Sequence, residues 1–121
     1  VIKVTEIIVN LTQHSASAEQ LTAGVVDMPD RKLVSDLLTF DELPTEVQLI
    51  NRAETLASLI NQPAGTAVMI GGAPFFMSFL IESLKKRGFI PVFAFSKRVV
   101  SESNGVKTSV FRHEGFINAR L

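Results

Sequence analysis

The chain has 121 residues, 46% of them hydrophobic, and its 12 basic and 12 acidic side chains cancel at pH 7. That length and apolar content support one domain spanning 1–121 with a single core, and the balanced charge excludes a general field that would draw it onto duplex nucleic acid or an acidic membrane. The lack of cysteine excludes disulfides, thiolate metal sites and cysteine nucleophiles.

Apolar runs such as Phe75-Phe76-Met77 are cut well short of the ~20 residues a membrane span needs. The opening Val1-Ile2-Lys3-Val4-Thr5-Glu6 lacks the basic-then-apolar order of a secretion signal, so the expected compartment is the cytoplasm. Nine Phe without Trp or Tyr suit core packing better than a base-stacking platform.

In chain order, Lys3 to Val9 is short and rich in Ile, Val and Thr, which predicts a mostly buried strand. It runs into Asn10-Leu11-Thr12-Gln13-His14. Ser17-Ala18-Glu19-Gln20 has the form of a capping box and opens a brief helix that Gly24 stops. Val25-Val26 predicts a short edge strand closed by Pro29. Arg31 to Leu38 places Leu33, Val34, Leu37 and Leu38 on one helical face. After a connector over 39–44, Thr45-Glu46-Val47-Gln48 is a second capping box, and Leu49, Ala53, Leu56 and Ile60 form one apolar stripe behind it.

Thr66 to Ile70 is an uncharged run of strand length, as a strand covered on both faces requires. Gly71-Gly72-Ala73-Pro74 follows at once, with Pro74 suited to a first helical turn and Phe76, Phe79, Leu80 and Leu84 supplying a buried face. Lys85, Lys86 and Arg87 complement the negative end of that helix, and Gly88 ends it. Ile90 to Phe95 predicts the next strand. Asn104-Gly105 is a two-residue hairpin signal, with Val106 to His113 returning antiparallel. In that register Glu102 faces Lys107, Val99 faces Val110 and Ser96 faces His113. Strand, helices, strand, helix, strand predicts an α/β fold: a mainly parallel sheet with helices on both faces and a C-terminal antiparallel β-hairpin.

Ligands of such sheets sit at the strand carboxyl ends, where three segments converge on paper. Gly71, Gly72 and Ala73 could bring backbone N–H groups against an anion at a helix start. Neither Gly-x-Gly-x-x-Gly nor Gly-Lys-Ser/Thr is present, so no dinucleotide or Walker-type site and no cofactor are expected. Asn10, Thr12, Gln13 and His14 offer amides, a hydroxyl and an imidazole able to act as acid or base. Ser96, Lys97 and Arg98, faced by Arg112 and His113, could form a phosphate clamp, although strand alternation turns Lys97 away from Ser96 and Arg98. Each also has a plainer reading: a tight turn, local caps, or charges that blunt a strand edge. No metal site and no Gly-x-Ser-x-Gly elbow is expected.

With a first strand running into Asn10-Leu11-Thr12-Gln13-His14, then Ser17-Ala18-Glu19-Gln20-Leu21, and an apolar strand delivering Gly71-Gly72-Ala73-Pro74 into an amphipathic helix, the chain resembles the small Rossmann-like CARF-type domains and stand-alone ring nucleases of type III CRISPR defence. The resemblance implies a homodimer that holds a cyclic oligoadenylate across its two-fold axis. It also implies metal-independent cleavage by ribose 2′-hydroxyl attack, with His14 positioning or deprotonating the hydroxyl and the Gly72 and Ala73 N–H groups, Arg98 and Arg112 stabilising the phosphorane. The alternatives are a non-catalytic nucleotide sponge or regulatory binder, and an unrelated small Rossmann-like hydrolase or transferase.

Overall fold

Local signals settle most of the element boundaries in the computed structural model, which describes residues 6–119. The elements are β1 (Ile8–Leu11), α1 (Ala18–Thr22), β2 (Val25–Asp27), α2 (Arg31–Leu38), α3 (Glu46–Ser58), β3 (Ala67–Ile70), α4 (Pro74–Lys86), β4 (Ile90–Ser103) and β5 (Val106–Asn118). Both capping boxes form. Ser17 Oγ accepts from Gln20 N while Gln20 Oε1 accepts from Ser17 N, and Thr45 and Gln48 do the same at α3. Lys3 to Thr5 of the expected first strand, and most of the opening segment, lie outside the described residues.

The five strands form one sheet in the order β2-β1-β3-β4-β5, with β5 alone antiparallel to its neighbour. Across the three central strands the register is a straight row: Leu11 pairs with Ile70 and Ile70 with Phe93. Successive connections leave β1 toward β2 and β3 toward β4 in opposite directions. Right-handed crossovers then place α1 on one face and α2, α3 and α4 on the other. The buried side chains agree. Val9, Leu11, Val68 and Ile70 pack with Val34, Leu56, Phe76, Leu80 and Leu84 of the three-helix layer. Val25, Met69 and Val92 point the opposite way, against Ala16, Ala94 and Phe116. Helices therefore cover both faces unequally, and α1 buries none of its residues.

Of the Phe75-Phe76-Met77 run, Phe76 and Met77 are core and only Phe75 is exposed, with Phe40 packed edge-on against both phenylalanines. Arg52 stacks on Phe40 and donates to the carbonyls of Asp36, Leu37 and Thr39, which closes the C-terminal end of α2. Gly88 ends α4 at φ +82°, and a Cβ there would stand 2.9 Å from that of Ala64.

The hairpin register is the expected one, with Glu102 opposite Lys107, Val99 opposite Val110 and Ser96 opposite His113. Both strands run further than the sequence pattern predicts. Past Phe95 the count shifts by one, because Phe95 pairs with Gly115 and leaves Glu114 as the extra residue of a bulge. Beyond that bulge the two strands continue as a free arm to the Asn104-Gly105 turn, where both residues have positive φ, 53° and 78°. No helix among the described residues is long and apolar enough to cross a membrane.

Candidate functional site

Because Leu11 and Ile70 end β1 and β3 level with each other, beside Phe93 of β4, the chain leaves β1 and β3 side by side and then departs in opposite directions. The gap this opens is the switch point at which parallel sheets take ligands. A pocket of about 390 Å³ occupies it, within the range of small-molecule sites. Thr12, Gln13, His14 and Ser15 form one wall, Gly71 and Gly72 another, Phe93 and Ala94 a third, and Gln20 of α1 reaches in from the side.

The β1 wall is held in shape by Asn10. This side chain is fully buried, and all its polar valences are used inside the protein. Its Nδ2 donates to His14 O and to Asp27 Oδ1, each at 2.7 Å, and its Oδ1 accepts from Thr12 N at 3.0 Å and Thr12 Oγ1 at 2.6 Å. Asp27 also accepts from Ala16 N at 2.9 Å, so one carboxylate ties both ends of the loop to β2. The hydrogen bond from Asn10 holds the Asp27 carboxyl below its ordinary pKa; the Ala16 N–H and the nearby Arg31 charge act in the same direction, against partial burial. Arg31 Nη1 reaches Thr12 O at 3.3 Å, and Gln13 Nε2 donates to Thr39 Oγ1 at 2.9 Å.

The sequence-derived site therefore divides. Thr12, Gln13, His14, Gly71 and Gly72 come together around the pocket. Asn10 stands behind that wall as a positioning residue and has no free atom for a ligand. Ala73 is the N-cap of α4, makes no side-chain cap and packs on the core. Ser96, Lys97, Arg98, Arg112 and His113 are not in the lining, because β4 presents Phe93 and Ala94 at the height where Ile70 ends. Ser96 and Arg98 share the face of Ala94 but lie one and two strand repeats further out, at about 7 Å per repeat. Lys97 and Arg112, paired with each other, share the opposite face. His113 packs on Phe116 with ring centroids 4.8 Å apart, and its buried Nδ1 has no hydrogen-bond partner among the described residues.

The lining thus holds neither a Lys or Arg nor an Asp or Glu. Beside the His14 imidazole its polar complement includes the Gly71-Gly72 backbone at the start of α4, the Ser15 hydroxyl, and the Gln20 amide NH2, whose oxygen is taken by Ser17 N. Gly72 carries φ +138°, a conformation that favours glycine, so this turn is built for backbone approach. Among the described residues no group of three or more His, Asp or Glu stands together as a metal site. Ser15 and Gln20 were not anticipated as lining residues. The signal for Gln20 lay in its capping box, which fixes the start of α1 beside the loop.

Residues 6–117 match the family model described as the Uncharacterized protein MJ1673 family. The chain belongs to that family. The matched span of this MJ1673-family chain takes in every pocket residue and the whole hairpin turn. No curated protein and no solved structure matches it.

Proposed function

We propose that this MJ1673-family chain binds a nucleotide phosphoester, of the cyclic oligoadenylate class implied by its resemblance to CARF-type domains, in the pocket between the carboxyl ends of β1 and β3. The observation that carries the reading is the level ending of β1 at Leu11 and β3 at Ile70, which sets the Thr12–Ser15 loop and the Gly71-Gly72 turn on one cavity. Backbone N–H groups at a glycine turn suit a phosphate oxygen. The apolar Met69, Ile70 and Phe93 side of the lining suits a base. A cavity of about 390 Å³ fits a single nucleotide unit, so a ring of several adenylates calls for a second copy of the chain.

Binding without cleavage, as in a sponge or regulatory protein, is favoured over turnover by the state of His14. Its imidazole has no hydrogen-bond partner among the described residues, and no carboxylate lines the pocket to orient it, whereas an activated base is normally held by a third group. In this reading His14 touches the ligand and moves no proton.

Calorimetric titration with adenosine monophosphate, linear adenylates and cyclic tri-, tetra- and hexa-adenylate tests the proposal, with chromatography of the same mixtures in the absence of metal. Expected is saturable heat with a linear or cyclic oligoadenylate and recovery of the ligand intact. Loss of the ring to linear products would restore the nuclease reading. Heat from a mononucleotide or small acid alone would point to an unrelated small enzyme. Silence with every ligand would remove nucleotide binding altogether.

A further inference from the structure

Beyond the bulge the β4–β5 arm pairs with no third strand among the described residues, and all of its residues but Val99 and His113 are exposed. A two-stranded ribbon of this kind is marginal in water by itself and gains stability from a hydrophobic face packed on something else. The arm does carry such material on the face that continues from Ala94. Arg98 and Phe111 are cross-strand partners there, followed by Val100 opposite Ser109. Phe111 is 73% exposed, the most exposed aromatic ring among the described residues.

The charge of the chain is divided in a way that names the partner. From Phe95 to Gly115 the hairpin bears Lys97, Arg98, Lys107 and Arg112 against Glu102 and Glu114, which leaves eight basic and ten acidic residues in the remainder. The acidic surplus has a focus on the helical layer. Glu46, Ile50 and Glu54 of α3 face Phe79, Glu82 and Lys86 of α4 across a groove of about 260 Å³. Three carboxylates share that groove with one ammonium, Lys86, which sits 3.7 Å from Glu82. Its apolar members are Ile50, 39% exposed, and the partly buried Phe79.

We infer that the arm of one copy docks on the α3–α4 groove of a second copy, with Phe111 against Ile50 and Phe79 and Arg98 among Glu46, Glu54 and Glu82. A buried aromatic ring beside a guanidinium is the usual anchor of a protein interface, and a guanidinium relieves the repulsion of clustered carboxylates. Since each copy owns both an arm and a groove, reciprocal exchange closes the assembly as a two-fold dimer. This contact is independent of the nucleotide reading, and its test uses no ligand.

Sedimentation velocity of the intact chain across the micromolar range decides it. The wild type is expected to be a dimer. Phe111→Ser and Arg98→Glu, both on the solvent-exposed arm, are expected to weaken it by about tenfold or more while leaving far-UV circular dichroism unchanged. Combining Arg98→Glu with Glu54→Arg and Glu82→Arg is expected to recover association by exchanging the charges. A monomeric wild type, a dimer indifferent to both single substitutions, or growth into open-ended oligomers would overturn the exchange.

Discussion

Asn10 and Asp27 are in-register neighbours on parallel strands, and their side chains meet at 2.7 Å beneath the loop that forms the pocket wall. This pair converts a polar stretch after β1 into a fixed turn, because the remaining polar valences of Asn10 are spent on Thr12 and His14 and Asp27 Oδ1 also accepts from Ala16 N. Asn10→Ala strips partners from Asp27, from the Thr12 backbone and from His14 O at once. It is expected to destabilise the fold by about 2–4 kcal/mol, read as a lower urea midpoint with an unchanged slope.

The same pair gives a pH dependence with a definite sign. Asp27 has a carboxyl pKa held below its ordinary 3.8, mainly by the Asn10 hydrogen bond, so its charged form is favoured in the folded state. The stability it contributes is fully present above the unfolded value, and it fades as pH falls through the lower folded one. Urea midpoints measured between neutral pH and pH 3 are expected to fall more steeply for the wild type than for Asp27→Asn, which has no proton to bind there.

Two glycines divide by cause. Gly72→Ala forces an L side chain into φ +138° with only ordinary contact to Met77 Cε at 3.8 Å, and the cost is backbone strain of about 1 kcal/mol. Gly88→Ala adds a clash with Ala64 Cβ at 2.9 Å to an unfavourable φ of +82°. It is expected to be the more damaging, at roughly 2–3 kcal/mol, and thermal melts of the two variants side by side give the order.

Nucleotide binding is expected to follow the observed lining and not the charged arm. Ala94→Leu narrows the cavity from the β4 wall and should abolish the calorimetric signal, whereas Lys97→Ala, outside the lining and on the opposite strand face, should leave it within about twofold. Binding lost in Lys97→Ala and kept in Ala94→Leu would move the site onto the arm.

How far these features can be read from sequence depends on how local their causes are. The span Arg31–Leu38, the two capping boxes and the hairpin register all follow from residues within one or two turns of each other, and all stand as expected. The end of β5 does not. Val106 to His113 reads as the whole returning strand, yet β5 runs on past the Glu114 bulge to Asn118 because Val92 to Phe95 of β4 supply its partners. The pocket wall made by Phe93 and Ala94 is set by the level of three strands, which no single segment encodes. Asn10 likewise reads as a donor to ligand until Asp27, 17 residues away, is seen beside it.

His14 apart, the walls of the pocket carry no ionisable side chain. With no lysine, arginine, aspartate or glutamate on its walls, ligand capture there exchanges hydrogen bonds with water and displaces few counterions. Raising ionic strength should therefore leave ligand affinity nearly flat while it loosens any contact made through Arg98 and the α3–α4 carboxylates, so a simple salt series separates what the cleft does from what the arm does.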